Sequence, residues 1–95
     1  MVDSMFTPAA AELVRALVAM RKAAGLTQRE LAEAVGREQN YIGRIETGQR
    51  RVDLVELIRL CRACGRQPEA EIPELTKQIV GLVPQVRRRR GRKRA

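Results

Sequence analysis

Gln39, Asn40 and Arg44 are the side chains in this chain with the most specific recognition chemistry. A carboxamide matches adenine N6 and N7 through one donor and one acceptor, and a guanidinium matches guanine O6 and N7 through two parallel N–H groups. All three lie in the stretch TQRELAEAVGREQNYIGRIETG, from Thr27 to Gly48, with Tyr41 on or beside the same outer face. A helix presenting that face to the major groove of a duplex would read base edges. Glu38, just before it, either repels phosphate or accepts a hydrogen bond from cytosine N4. Gly43 costs a helix about 1 kcal/mol relative to alanine, which leaves two explanations, close approach to DNA or simple tolerance.

Two short helices must hold these groups. Leu31 and Val35 are four apart and Ile42 and Ile45 three apart, so each pair forms an apolar stripe on one face of its helix. Gly36, between them, supplies the left-handed conformation that ends the earlier helix. Ala32 offers only a methyl group at the crossing, which lets the helices approach closely at a steep angle. Thr27 and Glu30 form a capping box that fixes where the earlier helix begins.

The flanking elements follow from the same periodicity. Leu13, Leu17 and Met20, with Val14 and Ala16, predict a first helix over Ala9 to Ala24, introduced by Thr7 as N-cap and Pro8 as first residue. Asp53 caps a fourth helix whose inner side is Leu54, Leu57, Ile58, Cys61 and Cys64, ended by Gly65. Pro68 to Ile72 predict a short fifth helix, and Pro73 opens a separate segment, 73–86. There Leu75, Ile79, Leu82 and Val83 form an apolar stripe interrupted by Gly81 and Pro84. That stripe either folds back on its own domain or pairs with a second copy or a partner protein. Residues 1–8 carry no periodicity and are read as a flexible arm.

Taken together, Arg21, Gly25-Leu26-Thr27-Gln28, Glu30-Leu31-Ala32, Val35-Gly36, Tyr41-Ile42, Arg44-Ile45-Glu46 and Gly48 resemble the Xre/Cro-type helix-turn-helix family of phage and bacterial repressors. The resemblance spans roughly residues 9–72. It implies an all-α, compact five-helix repressor-like domain, here with a C-terminal extension and a disordered basic tail. It also implies an ion pair between Arg21 and Glu46, a phosphate contact from Gln28, and a loop carrying Arg50 and Arg51 along the DNA backbone. Arg29 and Arg37 are further candidates for backbone contact. Arg37 and Glu38 depart from the family pattern, since a small apolar residue or Thr and a capping Ser or Thr are usual there.

Charge is distributed unevenly. The net charge is +8, yet residues 1–86 hold twelve basic and eleven acidic side chains, while Arg87, Arg88, Arg89, Arg90, Arg92, Lys93 and Arg94 follow with no acid among them. The folded part is nearly neutral, so the tail adds a sequence-independent attraction to phosphate. Cys61 and Cys64 form a CxxC without histidine or a third cysteine, and their helical spacing makes them core residues rather than a metal or redox site. No metal or cofactor is expected, and nothing offers the nucleophile, base or paired acids of an enzyme.

These features predict a sequence-specific, double-stranded DNA-binding transcriptional regulator, a repressor acting as a homodimer on an inverted repeat. The expected location is the cytoplasm of a bacterium, at the nucleoid, with no membrane contact. The competing readings are an antitoxin whose 73–86 segment occupies a toxin, and a nucleoid or RNA-binding protein led by the basic tail.

Overall fold

A computed structural model describes residues 7–87. The chain forms five α-helices, α1 (Pro8–Ala23), α2 (Gln28–Ala34), α3 (Tyr41–Glu46), α4 (Leu54–Ala63) and α5 (Pro68–Ile79), followed by a 3-10 turn at Val80–Leu82. No strand occurs among the described residues. Residues 1–6 of the expected arm and 88–95 of the expected tail lie outside them, while Thr7 and Pro8, read as part of the arm, cap and begin α1.

The starts of α1, α2 and α4 are specified by side chains. Thr7 Oγ1 accepts from the Ala10 amide at 3.1 Å, with Pro8 at the first helical position, where its missing N–H leaves nothing unpaired. The Thr27–Glu30 capping box is closed from both sides, at 3.0 and 2.9 Å. A second box joins Asp53 and Glu56 at the start of α4, at 2.8 and 3.0 Å. The chain leaves α2 at Gly36 and α3 at Gly48, with φ of 70° and 81°. At each of these ends two amides turn back onto the last carbonyls, Arg37 to Ala32 at 2.9 Å and Gln49 to Arg44 at 2.8 Å being the longer-range bonds.

The core is aliphatic and drawn from four helices: Leu17 and Met20 of α1, Leu31 and Ala32 of α2, Ile42 and Ile45 of α3, Leu60 and Cys61 of α4. Ala32 is fully buried, and α2 packs against α3. Cys61 and Cys64 are free and buried, and burial pushes both thiols above their ordinary range, so they pack as small apolar groups. No helix among the described residues is long and apolar enough to cross a membrane.

The C-terminal boundary is corrected. Instead of ending at Ile72, α5 runs through Pro73 to Ile79. A proline inside a helix removes one hydrogen bond and costs about 3 kcal/mol. Here the orphaned acceptor is the Glu69 carbonyl, and both Glu69 and Pro73 are exposed, on the solvent side of the helix. On the opposite side Leu75 is buried against α1, in company with Ala16, Leu17 and Met20. Burying one such side chain contributes about 1.5–3 kcal/mol, comparable with the proline penalty. Half-buried Ile79 also faces α1 and lines a groove with Leu13 and Val14. Leu75 and Ile79 therefore serve the domain itself, while Leu82 and Val83 are exposed. Leu75→Ala is expected to lower the stability of the whole domain in one cooperative transition by about 2–5 kcal/mol, measured by urea unfolding. A change below about 0.5 kcal/mol would mean that residues 73–79 are not part of the cooperative core.

Candidate nucleic-acid interface

The outer surface of the α2–α3 unit carries Arg29, Glu38, Gln39, Asn40 and Arg44, all exposed. Their position depends on a helix shorter than the sequence implies. α3 holds only six residues and begins at Tyr41, so Gln39 and Asn40 project from the turn before it and Glu38 is not its cap. Asn40 occupies the N-cap position, exposed and without a side-chain capping bond. Gln39 Oε1 accepts from Arg29 Nη2 at 3.3 Å, and Arg44 lies 3.9 Å from the Glu38 carboxylate with both side chains well exposed. Such exposed pairs are weak enough to be exchanged for contacts to a duplex.

Tyr41 is corrected from an outward to an inward residue, since it is buried at 3% exposure. Its spacing from Ile45 is four, the same spacing that defines the inner stripe, so a helix starting at Tyr41 turns the ring toward the core. The ring is flanked by two cations, with the Arg37 guanidinium carbon 4.2 Å and that of Arg50 4.9 Å from its centroid. Gly43 also has a neighbour inside the protein: a Cβ there would stand 3.4 Å from Gln28 Oε1. The glycine's close approach is thus to the first residue of α2.

Two partly buried carboxylates hold this surface in place. Glu46, at the end of α3, accepts Arg21 Nε at 2.7 Å, Arg21 Nη2 at 3.0 Å and Gln28 Nε2 at 2.8 Å. Arg21 Nη1 donates onward to the Leu26 carbonyl at 2.9 Å, so α1, the α1–α2 loop, α2 and α3 share one hydrogen-bonded junction. The bonds to Glu46 raise the Arg21 pKa against the opposing effect of burial. Gln28 keeps a second amide hydrogen for an outside acceptor.

Glu56 holds the other end. Its Oε1 accepts Arg50 Nη1 and the Asp53 amide, both at 3.0 Å, and its Oε2 accepts Arg50 Nη2 at 2.8 Å and Arg37 Nη1 at 3.3 Å. Arg50 Nη1 also reaches the Arg51 carbonyl at 2.8 Å. Arg37 and Arg50 are therefore committed to an internal cluster, although about a third of each side chain stays exposed. Burial first, then Glu56, pushes the Tyr41 phenol above its ordinary range. Glu56 itself is held down to about 2, chiefly by its hydrogen bonds to Arg50. Sequence reasoning did not single it out, although Asp53 and Glu56 carry the D-x-x-E spacing of a capping box. Arg51 is exposed beside the cluster, and Arg87 is exposed at the end of the described chain.

With this geometry in view, the comparisons with known proteins are informative. A family described as a helix-turn-helix domain matches residues 12–75. The chain belongs to the Xre-type helix-turn-helix family. An XRE-family like protein from Pseudomonas syringae pv. tomato is 37% identical, with a TM-score of 0.67 over 72% of this chain and 83% of that one. The clp gene regulator ClgR from C. glutamicum is 29% identical, with a TM-score of 0.61 over 76% of this chain and 87% of that one. No curated protein sequence matches. This Xre-type domain accordingly falls in the class of helix-turn-helix DNA-binding transcription regulators. Among its described residues no group of acids and cysteines is arranged to hold a metal ion.

The Glu56 cluster makes the Xre-type domain acid-sensitive. Because the folded-state value lies below that of an unfolded glutamate, the ionised carboxylate stabilises the fold at every pH above about 4.5, and the contribution is lost as pH falls toward 2. The difference in urea-unfolding free energy between the wild type and Glu56→Gln should be largest near neutrality, up to about 3 kcal/mol, and shrink between pH 4.5 and 2. A difference constant over that range would show that Glu56 contributes no proton-linked stability.

Proposed function

We propose that this protein is a sequence-specific, double-stranded DNA-binding transcriptional repressor that acts as a homodimer on an inverted-repeat operator. The observation that carries this reading is the exposed strip of Gln39, Asn40 and Arg44, held on a two-helix unit whose supports, Glu46 and Glu56, are partly buried and ion-paired to arginines. The turn before α3 and its first residues enter the major groove. Gln39 and Asn40 suit adenine edges, Arg44 suits guanine, and Glu38 beside Arg44 suits cytosine N4. Gln28, Arg29 and Arg51 contact the phosphate backbone, with Arg37 and Arg50 contributing the donors that Glu56 leaves free. The protein acts by binding, in the cytoplasm, and needs no cofactor.

Three or four base-reading side chains are too few for high specificity in one copy. Two copies would read half-sites about 34 Å apart, or a multiple of that, on one face of the duplex. The exposed apolar side chains beyond α5, Val80, Leu82, Val83 and Val86, favour a protein contact, and a second copy supplies it.

Selection of bound duplexes from a random pool is the direct test. An inverted repeat should emerge, and Arg44→Ala should relax the preference at one position per half-site, by about 1–3 kcal/mol. An equal loss on every duplex would remove Arg44 from base reading. Removal of residues 87–95 should instead weaken all duplexes alike and flatten the dependence of log affinity on log salt by up to about six, at 0.9 per phosphate contact. A slope that stays put on truncation would remove the tail from DNA binding.

A further inference from the structure

The cluster around Tyr41 contains more than a structural tie. Arg37 precedes α3 and Arg50 follows it, so the two guanidiniums bracket the reading helix in sequence, yet both converge on one ring and one carboxylate. Glu56, 14% exposed, binds three guanidinium nitrogens and the amide that starts α4. Its single negative charge therefore offsets one of two positive charges and fixes the direction of both. Arg37 retains Nε and Nη2, and Arg50 retains Nε, as donors outside these bonds.

We propose that Glu56 is a specificity-determining positioning residue: it withholds Arg37 and Arg50 from indiscriminate attraction to phosphate and presents their remaining donors in one fixed geometry that only a correctly seated duplex can meet. This rests on the DNA-reading function proposed above. The physical basis is the difference between a flexible cation, which neutralises any nearby phosphate, and a guanidinium locked by a partly buried carboxylate, which gains only where a phosphate falls in line with its free N–H groups. A restrained pair adds little to non-specific binding and more to the difference between right and wrong sites.

The test uses full-length protein, the duplex recovered by selection and a scrambled duplex of equal length and composition, with binding measured from 50 to 200 mM salt. Glu56→Gln keeps the side-chain shape and removes the charge. It should bind the scrambled duplex more tightly at low salt, and its affinity should fall about three- to fourfold more steeply across that range, the share of one added phosphate contact. Affinity for the selected duplex should not rise in step, so the ratio between the two drops. Arg37→Gln gives an independent reading. Its slope on the scrambled duplex should stay within half a unit of the wild type, while its affinity for the selected duplex falls about tenfold.

A purely structural role predicts a different result: both duplexes lose affinity by the same factor, and Glu56→Asp restores both together. Parallel changes of that kind in Glu56→Gln, or a slope in Arg37→Gln flattened by nearly a full unit, overturn the proposal. A wild type that binds both duplexes equally refutes the sequence-reading function and the role of Glu56 with it. A discriminating wild type with parallel variant effects refutes only the latter.

Discussion

The ion pair between Arg21 and Glu46 is the constraint on which the reading surface depends. α3 has six residues, too few to persist as an isolated helix, because nucleation is costly and few hydrogen bonds follow. Its position must come from packing, and packing by Ile42 and Ile45 sets depth without fully setting direction. Arg21 adds direction. Its planar fork meets both Glu46 oxygens while a third nitrogen holds the Leu26 carbonyl, so the end of α3 is referred to the end of α1 through bonds that tolerate little rotation. Withdrawing both groups from water is expensive, and a pair so buried contributes less net stability than its short distances suggest. Its value lies in geometry, since losing either partner would leave an uncompensated charge in the core.

Glu56 does for the start of α3 and the loop after it what Glu46 does for its end, and the two acids differ in a telling way. Glu46 is met by a cation and an amide from elements that precede α3. Glu56 is met by Arg37 and Arg50, which lie on either side of α3 in sequence, and by the amide that begins α4. The nearly neutral balance of residues 1–86 follows in part from this use of charge: most of the arginines around the reading unit have a carboxylate within reach. Charges paired in this way leave little net field at long range. The seven basic residues at the C-terminus are of the opposite kind, since they carry charge with no acid among them.

The parts of the fold legible in the sequence are those decided locally. Thr27 with Glu30, Thr7 with Pro8, and Gly36 each specify a terminus through chemistry contained within a few residues, and Ala32 announces a close crossing by its size alone. The parts misread depend on tertiary context. Pro73 is a strong local stop, but Leu75 buries enough surface on α1 to carry the helix through it, and nothing near Pro73 reports how well that surface fits. Tyr41, by contrast, stands four residues before Ile45, which puts its ring on the inner stripe of any helix that holds both, so its inward place was within reach of the pattern. Glu56 was overlooked because its partners are nineteen and six residues away, a separation at which pattern carries no signal, although its capping role was within reach.

The C-terminal segment shows how one stretch can satisfy its domain and still leave surface unspent. Leu75 is buried and Ile79 half-buried on α1, and the 3-10 turn ends the helix within one turn of that contact. The 3-10 turn still touches α1 and Val83 borders the groove beside it, yet Val80, Leu82, Val83 and Val86 remain exposed within seven positions. Scattered single apolar residues are ordinary on a protein surface, but a run of this density between a packed helix and a block of arginines is not. Extending α5 by another turn would have buried part of the run at the cost of ordering more chain. Ending it early keeps α5 to the length that Leu75 and Ile79 anchor on α1, and leaves four apolar side chains exposed in the seven positions that precede the basic block of the sequence.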